Sequence, residues 1–318
     1  MVRCVVGRAF VALAFSVGVA RAETATIATL GEGYPIYYLA VAIAKAADTV
    51  TSLDVRPKSY RSVEQGAVFV DKGEVDFGLM NAITLPEAYR GVEFFKDRPL
   101  QDLRAVARLV PLQVTLCVPG NSDIQTIEDM RGKRFPAGFD ATKFGERLYE
   151  AMLGTGRLSY DDVQKVQVSD WGALVKGFRR GEFDVGGVVV GSATSIRDAQ
   201  LIEGLRCIPL STGPGVEERV KATFPAARMV VVEPAEGLAG IVKPTVVLEF
   251  DFWLYAHKDA PESKVTAVLQ SLFDGKDTLI SVSKDFRNFD PALMNTDIGV
   301  PLHPTAEAFY AAHKDSMK

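Results

Sequence analysis

Histidine, cysteine and tryptophan are scarce: the 318 residues include three, three and two of them. His257, His303 and His313 all fall near the C-terminus, and their spacing matches no zinc pattern. The cysteines are too few and too far apart to make a structural zinc site. No Walker A, G-x-S-x-G or H-E-x-x-H signature occurs. Gly31-Glu32-Gly33 lacks the later glycine of a dinucleotide fingerprint, and Asp161-Asp162 reads as a helix-start pair rather than an acid/base pair. No catalytic set, cofactor or metal is therefore expected. Lysine- and arginine-rich runs are also missing: 36 basic residues face 40 acidic ones, which argues against a nucleic-acid surface. Past the N-terminus, no apolar run approaches the ~20 residues that span a bilayer. Asp184-Val185-Gly186-Gly187-Val188-Val189-Val190 is too short and reads as a buried strand.

The N-terminus carries the clearest signal. Arg3 and Arg8 precede an apolar stretch from Ala9 to Ala20, and Ala20-Arg21-Ala22 forms an A-x-A cleavage site. Residues 1–22 are expected to be a signal peptide, with export to the periplasm; an uncleaved anchor ranks behind. Cys4 precedes the apolar stretch, so no lipobox follows it. Cleavage after Ala22 removes three arginines and moves the formal net charge from −4 to −7. It leaves Cys117 and Cys207, each in an apolar run. Buried free thiols are the favoured reading, and a disulfide is the alternative in an oxidising compartment.

Strand-like and helix-like segments alternate, and 47% of residues are hydrophobic, which predicts an α/β architecture with largely parallel sheets. The spacing predicts strands at 24–30, 53–60, 76–81, 103–110, 112–118, 134–138, 163–168, 184–190, 205–210 and 245–257. Helices are predicted at 36–48, from Ser62, at 126–131, 142–153, 262–282 and 305–314. Lys72-Gly73-Glu74-Val75-Asp76-Phe77-Gly78 recurs as Arg180-Gly181-Glu182-Phe183-Asp184-Val185-Gly186, 108 residues later. Ser62 and Asp170, both good helix N-caps, are separated by the same offset. A repeated supersecondary unit in two similar lobes follows. Lobe 1 is expected to begin at 23–119, lobe 2 to cover 120–212, and 213–318 to return to lobe 1. A hinge is expected after Val118 and near Leu210 to Gly215.

Several pieces in order resemble the TAXI group of TRAP-transporter solute-binding proteins. They are Gly31, Gly33, Tyr37-Tyr38, Ala42-Ile43-Ala44-Lys45, Ser62-Val63-Glu64, Gly73 to Gly78, Leu103 to Ala107, Ile127 to Arg134 and Gly181 to Asp184. The resemblance covers Ala25 to about Pro261. It implies a two-lobed type II periplasmic-binding-protein fold with hinge strands and a small carboxylate or amino-acid-like ligand in the cleft. It also implies a TRAP membrane permease as partner. The chain departs from the family's pattern on the ligand loops: Leu39 and Val41 replace Pro and Gly, and Gly138-Phe139-Asp140-Ala141-Thr142-Lys143 replaces a Gly-Ser-Gly-Thr-like loop. The alternatives are a receptor for an ABC importer or a sensor, and, further behind, a periplasmic enzyme on a related fold.

Backbone N–H groups at a helix start lack internal partners and attract anions. Four such starts are candidates: Gly33 with Tyr37 and Tyr38, Ser62, Gly138 with Asp140, Thr142 and Lys143, and Gly191 with Ser192. One of the two tyrosines should pack inward, because neighbouring helix residues point apart. Asn81 reads equally as a ligand contact or a helix cap. Glu32 and Asp140 most simply cap helices; facing a cleft, they would favour a ligand carrying an ammonium group, unless Lys143 offsets Asp140. Trp171 reads as core. Phe250, Phe252, Trp253 and Tyr255 read as two faces of one strand, with Glu249 near the hinge or the pocket mouth.

Overall fold

The computed structural model describes residues 23–140, 143–202 and 204–317. The expected signal peptide and Thr142 lie outside the described residues. The chain runs β1 (Thr24–Thr29), α1 (Pro35–Val50), β2 (Asp54–Ser59), α2 (Val63–Asp71), β3 (Phe77–Asn81), α3 (Thr84–Arg90) and β4 (Leu103–Pro119). It continues with β5 (Arg134–Gly138), α4 (Lys143–Thr155), β6 (Gln164–Val168), α5 (Trp171–Arg179), β7 (Gly186–Val189), α6 (Ala193–Leu201) and β8 (Leu205–Ile208). It closes with α7 (Val216–Thr223), β9 (Arg228–Val232), β10 (Thr245–His257), α8 (Glu262–Asp274), α9 (Lys276–Val282) and α10 (Pro304–Ala312).

Two long antiparallel strands, β4 and β10, form the spine, paired from Leu103 against His257 to Val114 against Leu248. One end of the spine carries β3, β1 and β2, with β1 parallel to both neighbours. The other end carries β7 and β8 on β4, and β9 on β10. β5 and β6 form a separate parallel pair. The sheet is thus mixed, not largely parallel, because both spine strands run against their neighbours.

Apolar packing changes partners along the spine. Val114 to Phe250, together with Ile83, form one cluster around α4, α5, α7 and β5 to β9. Residues up to Val110 and from Phe252 onward form two clusters on opposite faces of the remaining sheet. β10 shows the period-two alternation directly: Phe252, Leu254 and Ala256 face one cluster, while Trp253 and Tyr255 face the other.

The 108-residue repeat is a repeat of structure. β1 pairs β2 with Thr26 opposite Arg56, and β5 pairs β6 with Arg134 opposite Gln164, the same register displaced by 108. Ser62 caps α2 by accepting from the Gln65 amide, and Asp170 caps α5 by accepting from the Ala173 amide. Each helix then stops at a glycine in the left-handed region, Gly73 and Gly181, both with φ of 69°. The aspartate that follows ties the unit together: Asp76 accepts from the Thr26 amide and Asp184 from the Arg134 amide, each at 2.8 Å.

Several expectations change. Cys117 and Cys207 are direct partners on the antiparallel pair β4 and β8, and they form a disulfide rather than two free thiols. Pairing residues that are far apart in sequence is what the linear reading lacked. The two strands expected at 103–118 are one, because Pro111, which cannot donate to a ladder, sits beside a register shift at Asp251. The single helix expected at 262–282 breaks at Gly275, where a Cβ would lie 2.3 Å from the Ser271 carbonyl oxygen. The helix expected to follow Asn81 is α3, and it tolerates Pro86 because that residue falls in the first turn, where its missing N–H is not needed.

Candidate functional site

A cleft of about 280 Å³ opens between the two repeat units, lined by Arg61, Ser62 and Gln65 on one side and Asp140 and Ser169 on the other. All five follow the carboxyl ends of parallel strands or begin the next helix, the place where α/β units ordinarily hold ligands. The local sequence sets the walls. Gln65 is held at both ends of its reach: its amide donates to Ser62 Oγ, and its side-chain oxygen accepts from the Arg61 amide, both at 3.2 Å. This is a capping box displaced by one residue from the expected Ser62–Gln65 form. On the other wall, β5 ends at Gly138 with φ of 94°, followed by Phe139 at 47°. The Gln167 side chain lies over Gly138, where a Cβ would approach its Nε2 to 1.9 Å, so glycine is required there.

Charge on the two walls is unlike. Arg61 is exposed on the first wall, and Asp140 is exposed on the second. Among the described residues neither is in an ion pair. Asp140 receives only long hydrogen bonds from Gln167 Nε2, at 3.3 and 3.4 Å. Lys143 does not offset Asp140: its Nζ donates to the Gly138 carbonyl at 2.8 Å and pairs with Glu146 at 3.2 Å. Asp170, one residue beyond Ser169, is held below the ordinary carboxylate range, first by the Ala173 amide, with the Ser169 hydroxyl and the Arg61 charge adding to this against the effect of burial.

The other expected site residues are placed differently. Gly33 is exposed, and its carbonyl accepts from Thr194 Oγ1 at 3.3 Å, a contact between the two repeat units. Tyr34, not foreseen, makes a second: its phenol lies at the first turn of α5, where a Cβ on Gly172 would sit 3.1 Å from the oxygen. Burial raises the Tyr34 pKa, the Asp170 carboxylate adds to the rise, and the Gly172 amide opposes it. Tyr37 and Tyr38 are both half-buried and meet edge to face at 5.5 Å, so neither is simply core. Asn81 is a cap: buried, it accepts from the Ile83 and Thr84 amides at 3.0 and 2.8 Å. Gly191 turns the chain with φ of 73°, and Ser192 caps α6 by accepting from the Ser195 amide. The structure thus brings Ser62 and Asp140 into the cleft, with Gly138 shaping its wall.

Arg61, Gln65 and Ser169 were missed, although the sequence held a signal for two of them. Arg61 and Ser169 are 108 residues apart, so each precedes the N-cap of its own repeat unit. Applying the repeat offset to the residues around Ser62 points to both.

Charged residues also link the spine strands β4 and β10 and the neighbouring β9. Arg108 of β4 donates to Asp251 of β10 at 2.8 Å. Arg228 of β9 donates to the same carboxylate at 3.0 and 3.2 Å and to Glu249 at 2.7 Å. Gln113 donates to the other Glu249 oxygen at 2.7 Å. Arg108, Glu249 and Asp251 are each 8% exposed. Burial pushes the Asp251 pKa up, but the two guanidiniums outweigh it and hold the group below its ordinary value. Farther out, Arg147 of α4 pairs with Glu87 of α3 at 2.9 Å, another link between the halves.

The chain matches the model of the NMT1-like family over residues 27–312. It belongs to the NMT1-like family. Among solved structures it is similar to PhnD1 from Prochlorococcus marinus in complex with methylphosphonate, at 8% identity, covering 92% of this chain and 98% of that one, with a TM-score of 0.55. It is also similar to the alkanesulfonate-binding protein SsuA from Xanthomonas axonopodis pv. citri bound to MOPS, at 16% identity, 93% coverage of both chains and a TM-score of 0.50. A third is the periplasmic aliphatic sulphonate binding protein SsuA from Escherichia coli, at 14% identity, covering 92% of this chain and 89% of that one, with a TM-score of 0.50. The NMT1-like chain therefore has the two-lobed periplasmic-binding-protein fold. The NMT1-like match neither names nor excludes the TAXI group. The most distinctive pieces of the TAXI resemblance, Ser62-Val63-Glu64 and the two Gly-Glu-x-Asp segments, are the cap, the left-handed stop and the strand tie of the repeated unit. Those pieces report the fold's architecture, which other families share.

Proposed function

We propose that this NMT1-like protein is an exported solute-binding receptor that captures a small polar ligand between its lobes and delivers it to a membrane importer. The observation that carries the reading is the cleft whose walls come from both halves of the repeat, above a spine of only two long strands. A ligand touching both walls favours the closed arrangement over the open one, which couples occupancy to shape. The lobe crossings on this reading lie at Pro111 to Gln113 and Glu249 to Asp251, where apolar packing changes partners, in place of the expected 119/120 and 212/213. The segment 213–249 then belongs to the second lobe. The disulfide supports an oxidising compartment, and the signal-peptide pattern supports export.

For the membrane partner we favour an ABC-type permease over a TRAP permease, because the similar structures are named as sulfonate-binding proteins and a methylphosphonate complex. The sulfonate- and phosphonate-related ligands named for the similar structures support a small anionic group as part of the cargo. The test is small-angle scattering on the mature chain, residues 23–318, alone and with a ligand selected by thermal-shift screening of amino acids, dicarboxylates, sulfonates and phosphonates. A smaller radius of gyration with ligand is expected. An identical radius in both states refutes closure. Neighbouring genes for an ATPase or for a fused TRAP permease decide the partner.

A further inference from the structure

We propose that the cleft is polarised, with Arg61 of the first lobe taking an anionic group and Asp140 of the second taking a cationic one. The cargo is then a small zwitterion, such as an amino acid or an amino sulfonate. This deepens the receptor reading and rests on it. Arg61 and Asp140 line the same cleft from different lobes, and among the described residues neither is in an ion pair, although the Arg61 charge acts on Asp170. The lysine best placed by sequence to neutralise Asp140 is engaged elsewhere, with the Gly138 carbonyl and Glu146. Gln167 offers Asp140 only long, neutral hydrogen bonds, which position the carboxylate without cancelling its charge. On the opposite wall, Ser62 Oγ and Gln65 Oε1 accept from backbone amides at the helix start, and the Arg61 guanidinium is the charged donor among the lining side chains.

Charges around the pair continue the same polarity. Asp170 behind Ser169 keeps its negative charge, and no second lysine or arginine lines the cleft beside Arg61. A plain dianion would meet one cation and two nearby carboxylates. A zwitterion lets Arg61 form a bidentate charge-assisted pair with a carboxylate, sulfonate or phosphonate. Its ammonium then meets Asp140, with the Ser169 hydroxyl as a further acceptor. A ligand bridging the two walls also supplies the pairing that both side chains lack in the empty cleft, and closure would bury that pairing.

The test uses matched probes on the mature chain: 4-aminobutyrate against butyrate, and 2-aminoethanesulfonate against ethanesulfonate, measured by calorimetry. The aminated member of a pair is expected to bind at least about tenfold more tightly, the scale of one charged hydrogen bond. Asp140→Asn should abolish that preference while leaving the deaminated partner's affinity nearly unchanged. Arg61→Gln should weaken all four probes, with partial recovery in Arg61→Lys. Both positions are exposed, and unchanged melting temperatures show that the variants fold. Equal affinities within each matched pair, a preference that survives Asp140→Asn, or binding of none of the four probes overturns the polarity. Mass spectrometry of ligand released from denatured protein separates the two levels. A co-purified ligand without a cationic group removes the polarity but leaves the receptor reading standing. The absence of any ligand, with no change in radius of gyration across the screen, removes both.

Discussion

Joining Cys117 to Cys207 closes a loop of 90 residues that contains β5 to β7 and α4 to α6. In the chain-entropy model, a cross-link over such a loop removes about 4.6 kcal/mol of freedom from the unfolded ensemble, against measured losses of ~2–5 kcal/mol for native bonds. Replacing both cysteines with alanine should therefore lower second-lobe stability by roughly 2–5 kcal/mol. The two tryptophans divide the signal. The Trp171 ring packs 5.2 Å from Phe139 in the second lobe's cluster, while Trp253 is fully buried in the first lobe. Urea unfolding of Trp253→Phe, followed by Trp171 fluorescence, reports the second lobe, and Trp171→Phe reports the first. The midpoint seen by Trp171 should fall strongly in the Cys117→Ala/Cys207→Ala background, and the midpoint seen by Trp253 should fall less. Coincident midpoints with and without the cysteines would refute the entropic argument. Alkylation of two thiols in unreduced, urea-unfolded mature protein would refute the bond itself.

Packing and charge at two sites give three further predictions. Asp251→Ala strips the carboxylate from between Arg108 and Arg228 and should cost about 3–5 kcal/mol, because a buried guanidinium is left uncompensated. The folded-state pKa of Asp251 is depressed, so its stabilisation is complete above the unfolded value of ~3.9 and is lost as pH falls through the lower folded value. Asp251→Asn should accordingly flatten the acid limb of a stability–pH curve below about pH 4, and an unchanged limb would show that the network adds nothing. Gly78→Ala places a Cβ 2.2 Å from Cζ of Tyr255, a ring that is fully buried and has no room to yield. A loss of ~1–3 kcal/mol in thermal or urea unfolding is expected, and a neutral result would mean that the ring moves freely.

The sequence made the repeated unit legible because its punctuation is local. Ser62 and Asp170 are caps, Gly73 and Gly181 are left-handed stops, and each acts within a few residues of its own position. β10 was legible for a similar reason, since its alternation shows which residues share a face. What escaped the reading depends on partners distant in sequence. Cys117 meets Cys207 only through strand pairing, and the change of apolar partners along β4 and β10 falls inside uninterrupted strands that carry no local punctuation. The site was read by class of helix start, which found Ser62, Gly138 and Asp140. That reading credited Asn81 and Ser192 equally, and both spend side-chain acceptors on their own helices. It overlooked Arg61, whose role comes from the space it faces and not from any local motif.

The repeat also explains how one scaffold can hold a cleft of mixed charge. Equivalent backbone places equivalent positions on opposing walls, so position 61 faces the cleft from one lobe as position 169 does from the other. Chemistry then enters by substitution. The first lobe carries Arg61 and a neutral Ser62 cap, whereas the second carries Ser169 and an anionic Asp170 cap, with Asp140 added from the β5 loop. The caps differ in charge but do the same structural work, so the fold tolerates either sign at those positions. Polarity across the cleft is thus independent of the hydrogen bonds that build each lobe. On the spine, the Arg108, Asp251, Arg228 and Glu249 network has two positive and two negative members and is balanced in formal charge. The charge contrast between the walls is carried by loops and helix starts, while the spine strands hold a balanced set of charges.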